Sequence, residues 1–149
     1  MYYIRRYERA KTRYLTAQNT YRNAVDKKEY LFQRTQPQAI QIKADPVMGS
    51  GDSNPLEQYM IEKDRLKIDT VITEAWELLR ERERILAVAE RDLRGSIGLY
   101  DRVYVARYMD GIAVEVIAKR MNYSKRQIYR VLDIISKKMA QNVTKAVIE

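Results

Sequence analysis

The chain has 149 residues, 28 Lys/Arg against 20 Asp/Glu, and neither histidine nor cysteine. Those absences exclude a disulfide framework, a thiolate metal site and the commonest general base, and no apolar run approaches the roughly 20 residues that span a bilayer. The formal charge of +8 is uneven: residues 1–34 carry nine cations against three acids, 57–95 eight against ten, and 96–141 nine against four. A near-neutral middle with a basic segment on each side suits a polyanionic partner.

The opening MYYIRRYERAK is charged throughout and lacks the apolar stretch of a secretory signal. The expectation is a soluble cytoplasmic protein with no membrane partner. No residue pattern marks out a catalytic group, a metal site or a cofactor, so an enzyme is not expected.

Residues 1–34 read as an amphipathic helix. Tyr3, Tyr7, Ala10, Tyr14, Ala17, Tyr21, Ala24, Lys28 and Leu31 recur at steps of three and four, a heptad seam with alanine on one line and tyrosine on the other. Small alanines let a partner helix approach, and tyrosine covers the flanks with its hydroxyl wet. The partner is either another part of the same chain or a second copy in a homo-oligomer. Tyrosine also interleaves with Arg5, Arg6, Arg9, Arg13 and Arg22, a mixture that suits nucleic acid.

Residues 35–54 contain Pro37, Pro46, Gly49 and Gly51 and predict a flexible Pro/Gly linker. A long central helix is expected over 55–95, with Asn54 as cap, Pro55 in its first position and Glu57 reaching back to the cap. At 1.5 Å per residue it would approach about 60 Å. Its stripe is Ile61, Ile68, Ile72, Ala75, Leu79, Leu86, Ala89 and Leu93, interrupted by Arg65 and Arg82. Gly95 is expected to end it in a left-handed conformation.

A third helix is predicted from Leu99 to Met109, followed by a turn at Asp110-Gly111. Then comes IAVEVIAKRMNYSKRQIYRVLDIISKK, whose apolar rhythm breaks at Asn122-Tyr123-Ser124. Ile117 and Met121 share one face of the helix before the break, with small Ala118 beside them. Asn122 tolerates positive φ and can turn the chain without glycine; Tyr123 is expected to plug the junction. Ser124 and Gln127 form an S-x-x-Q capping box, and Ile128, Val131, Leu132, Ile135 and Met139 make the next helix's buried stripe.

This is a helix-turn-helix pattern, over a domain spanning 96–149. It predicts that the helix after Ser124 enters a DNA major groove. Arg126 and Arg130 suit guanine and Gln127 suits adenine, while Ser124, Lys119 and Lys137 are placed for phosphates.

From Asp101 onward, DRVYVARYMDGIAVEVIAKRMNYSKRQIYRVLDIISKKM resembles the fourth region of bacterial sigma factors, where an R-Y-x-D-G segment precedes a helix-turn-helix of the form EIA..L.YS.R.VYR. With its long N-terminal helices the whole chain is similar to phage-encoded late-gene regulators of the RinA/ArpU type. The resemblance implies promoter DNA, host RNA polymerase or both as partners, a place on the bacterial nucleoid, and Lys125, Arg126, Gln127, Tyr129 and Arg130 facing the groove. The upstream sigma regions are missing. The expected architecture is therefore all-α, with two long N-terminal helices in a helical hairpin or coiled coil before a region-four-like helix-turn-helix. Two alternatives remain: a phage small terminase subunit for DNA packaging, and a helical polymerase adaptor whose basic helix contacts protein.

Overall fold

Alanine and tyrosine alternate along the first helix, and burial follows that alternation. The computed structural model describes residues 1–35 and 55–146, which are helical apart from short connections, with no strand among them. Helix α1 spans Tyr2–Thr35, α2 Pro55–Arg94, α3 Leu99–Tyr104, α4 Val114–Met121 and α5 Lys125–Ala146. The all-α class expected from the sequence is present. The linker expected over 35–54, apart from Thr35, and the Asn54 cap with the Glu57 side chain lie outside the described residues.

The chain divides into two compact units, one made of Met1–Tyr14 with Glu83–Glu149 and the other of Leu15–Arg82. In the second unit the small residues Ala17 of α1 and Ala75 of α2 are buried. Tyr21 packs on Trp76 with ring centroids 5.3 Å apart, and the Arg80 guanidinium lies 5.3 Å from the Trp76 ring. Lys28, predicted as a seam position, is instead exposed and pairs with Asp69 at 2.6 Å. Among the described side chains of α2, burial begins at Ile68; Ile61 is exposed.

The first unit holds the larger core. Ile4, Leu93, Val103, Tyr104, Val114, Ile117, Ala118, Ile128, Val131 and Ile135 form one buried cluster. Ile4, not the predicted Tyr3, begins the buried side of α1. The aliphatic side chain fits among Leu93 and the α3–α5 residues, whereas Tyr3 keeps its hydroxyl in water. Glu8 accepts a hydrogen bond from the Tyr104 hydroxyl, and Arg6 pairs with Asp92. Burial, then the Glu8 carboxylate, raise the Tyr104 pKa well above its ordinary value, so the phenol stays protonated and keeps donating.

The connection after α2 differs from expectation. Gly95 does end the helix, with its amide on the Arg91 carbonyl at 2.9 Å, but it is not left-handed; Gly111 is, at φ 66°. A polar turn does the work instead. The buried Asp101 carboxylate accepts from Ser96 Oγ at 2.7 Å and lies 3.6 Å from the Met1 ammonium, while Ser96 Oγ accepts from the Gly98 amide at 3.3 Å.

The third helix reaches Met109 as predicted, but its second half, Val105–Met109, is a π-helical turn. The Asp110 amide reaches back to Val105 O at 3.0 Å and the Ile112 amide to Ala106 O at 2.8 Å. The wider turn stacks Tyr104 and Tyr108 at 5.1 Å and leaves Ala106 and Met109 only half-buried. Such π turns appear mostly as single insertions inside helices.

Asn122 follows α4 at φ 60°, ψ 40°. Replacement by valine, which resists that region, should cost about 1–2 kcal/mol of stability, whereas Asn122→Gly should be tolerated. Thermal melts of the two variants check the contrast.

Candidate nucleic-acid interface

The corner between α4 and α5 is built from backbone first. The Asn122 and Tyr123 amides close α4 by donating to Lys119 O at 3.4 Å and Ala118 O at 3.0 Å. These bonds satisfy carbonyls that a helix end leaves open. Tyr123, expected to plug the junction, is 42 % exposed. The left-handed residue before it turns its ring outward, and Ala118, Ile117 and Ile128 fill the space between the helices instead.

Ser124 then caps α5 reciprocally. Its Oγ accepts from the Gln127 amide at 3.3 Å, and Gln127 Oε1 accepts from the Ser124 amide and hydroxyl, both at 2.9 Å. The capping box inferred from the sequence is therefore formed. It also restricts Gln127: a bidentate adenine contact needs an acceptor and a donor, and the acceptor is committed to the cap. Only its NH2 remains to donate. Ser124→Ala should cost about 0.5–2 kcal/mol, and adding Gln127→Ala should cost less than the sum of the two, because the bonds are shared. Denaturant titration of the singles and the double measures that coupling.

Beyond the cap, α5 buries Ile128, Val131 and Ile135 and half-buries Leu132 and Met139. The opposite side carries Arg126, Tyr129, Arg130, Asp133 and Lys137, all exposed. Their fates differ. Lys137 pairs with Asp133 at 2.7 Å one turn away, and Lys125 pairs with Glu115 of α4 at 3.3 Å. Arg126 and Arg130 have no acidic partner among the described residues, and the Tyr129 ring between them is 56 % exposed. Lys119, at the end of α4, is exposed as well.

Two cross-element ion pairs are not marked by any local sequence pattern. Glu115–Lys125 spans the corner; the Glu115 carboxyl titrates below its ordinary range, held first by its own backbone amide and then by Lys125. Arg94 bridges Glu90 at 2.9 Å and Asp110 at 3.0 Å, tying the end of α2 to the segment that enters α4. Both carboxylates hold the Arg94 guanidinium more firmly charged, Glu90 first. Arg102 and Arg120, exposed and also unmarked by the sequence reading, flank a cleft of about 240 Å³ floored by Ile117, Val105 and Met121.

Chemically, the arrangement offers planar guanidinium donors on a helix fixed at its start by a cap and along its length by a core. No cluster of acidic side chains able to hold a metal occurs among the described residues, and no described helix is long and apolar enough to cross a membrane. No family model, curated protein or solved structure matches the chain.

Proposed function

We propose that this protein is a sequence-specific DNA-binding transcriptional regulator, of the phage late-gene type, that reads the major groove with the first half of α5. On this reading α4, the Asn122 corner and α5 form a helix-turn-helix, and α1 with α2 a helical hairpin that carries it. One observation supports the reading above the others. Arg126 and Arg130 stand on a capped helix without an acidic partner among the described residues, while the neighbouring Lys125 and Lys137 pair with acids of the protein itself.

Unpaired arginines one helical turn apart can each form two bonds to guanine O6 and N7, and Tyr129 between them offers an apolar edge to a thymine methyl. Lys119, at the corner, lies where phosphates flank a groove-bound helix; Ser124 reaches a phosphate only by giving up a donor that serves the cap. Lys125 and Lys137 contribute charge to the same surface once phosphates compete with Glu115 and Asp133. The protein acts here by binding, without a cofactor or a catalytic residue, on the nucleoid of a bacterial host.

The packaging alternative needs helix seams free to join neighbouring copies. α1 and α2 do expose Leu15, Phe32, Ile61, Leu66, Val71 and Leu78 in the second unit, so native mass separates the two readings: a ring of eight or more copies favours packaging, a monomer or dimer the regulator. Contact with host RNA polymerase is compatible with the proposal and would add a partner to it.

Selection from a pool of random duplexes tests the reading. The expected result is one enriched motif, bound on the order of 10³-fold or more above a scrambled duplex, with affinity falling steeply as salt rises. Recovery of an unenriched pool would overturn it.

A further inference from the structure

Within the first unit α1 carries five cations, Arg5, Arg6, Arg9, Lys11 and Arg13, against the single acid Glu8. Three of these six side chains are turned to the protein. Glu8 accepts from the buried Tyr104 hydroxyl, Arg6 pairs with Asp92, and Lys11 lines a cleft of about 360 Å³ together with Glu8 and Glu90. What remains is Arg5, Arg9 and Arg13, each exposed and each without an acidic partner among the described residues. They recur at four-residue steps, about 6 Å apart along the axis, on the side of α1 away from buried Ile4.

That ridge works against its own helix, because like charges at four-residue spacing repel. A face that serves only solvation has a simpler solution, and α2 adopts it: Arg80, Arg82 and Arg84 alternate with Glu81 and Glu83. On α1 no acid interleaves the three arginines on their own face. Their helix is meanwhile held in the first unit by Ile4, by Glu8 on Tyr104 and by Arg6 on Asp92, so the guanidinium groups project from an anchored support. Guanidinium forks match phosphate oxygens in geometry as well as charge.

We propose that Arg5, Arg9 and Arg13 form a second nucleic-acid contact, which grips the phosphate backbone of duplex DNA without reading its sequence. The claim rests on the DNA-binding reading above and adds to it a surface remote in sequence from α5. Backbone contacts of this kind position a protein and strengthen its hold on any duplex, selected or not.

The test uses the full chain, labelled duplexes carrying the selected motif or its scramble, and the variants Arg5→Gln/Arg9→Gln/Arg13→Gln and Arg5→Lys/Arg9→Lys/Arg13→Lys. Affinity is measured across a potassium chloride series. At a slope of about 0.9 per phosphate contact, the glutamine variant should flatten the plot of log affinity against log salt by about 2.7. It should do so equally on both duplexes and keep their ratio. The lysine variant should keep the wild-type slope. An unchanged slope in the glutamine variant, or a loss confined to the selected motif, overturns the ridge while leaving the role of α5 intact. A wild type that binds no duplex overturns both, and binding of the ridge to anionic vesicles in its place counts against it in the same way.

Discussion

Replacing Ile128 with alanine should remove about 2–5 kcal/mol of stability, the range for losing a large aliphatic side chain from a packed core. Ile128 is fully buried on the first turn of α5, in one cluster with Ile117, Ala118 and Ile135. Deleting most of its side chain leaves a void that α4 can close only by moving toward α5, and the Asn122 corner restrains that movement. Since a domain of ordinary stability holds about 5–15 kcal/mol in all, the first unit would be close to its limit at body temperature. Tyr129→Ala, one residue further on, should change stability by no more than about 0.5 kcal/mol, because the ring is already largely in water. Urea titration followed by circular dichroism separates the two: the Ile128 variant shifts its midpoint with an unchanged slope. A midpoint equal to wild type would mean that α5 is not docked through this residue.

The contrast between those neighbours was legible in the sequence, and the reason is locality. A capping box joins residues three apart, a left-handed asparagine acts on its own two dihedrals, and a buried stripe repeats within one helix. Ser124, Gln127, Asn122 and the Ile128–Val131–Ile135 line all follow from rules of that range, and all are found in the structure. The features that were misplaced depend on partners far along the chain. Whether Tyr3 or Ile4 starts the buried side of α1 is decided by Leu93 and the α3–α5 cluster, some ninety or more residues away. Glycine at a helix end commonly turns left-handed, but at Gly95 the Ser96–Asp101 hydrogen bond shapes the turn without it.

The same division runs through the candidate site. Sequence separates Arg126 and Arg130, suited to base edges, from Lys119 and Lys137, suited to phosphates. It does not show which cations pair within the chain, since pairing depends on how α4 and α5 face each other. Lys125 meets Glu115 only because the corner folds α4 back beside α5, and Gln127 serves the cap before it can serve a base. What the structure adds is which of them are engaged: Arg126 and Arg130 have no acidic partner among the described residues, while Lys125, Lys137 and Gln127 have partners within the chain that a ligand must displace.

That distinction sets the sharpest expectation for binding. Arg126→Ala and Arg130→Ala should each weaken the selected duplex by about 1–3 kcal/mol, the range for a bidentate contact to a base edge. With additive losses the double variant should lose roughly 30-fold or more, by the arithmetic of about 1.4 kcal/mol per tenfold. Binding to scrambled duplex should fall much less, so the ratio of the two affinities collapses. Stability should hold within about 0.5 kcal/mol, because both side chains are exposed and neither has an acidic partner among the described residues. Lys137→Ala should behave differently: its ammonium must first leave Asp133, so the loss should be small and equal on every duplex. Fluorescence anisotropy on both duplexes, at one fixed salt concentration, measures all three variants together. If the double arginine variant keeps the wild-type ratio, base reading does not reside on α5. If Lys137→Ala lowers the ratio as much as the arginines do, internal pairing is no guide to which cations touch the bases.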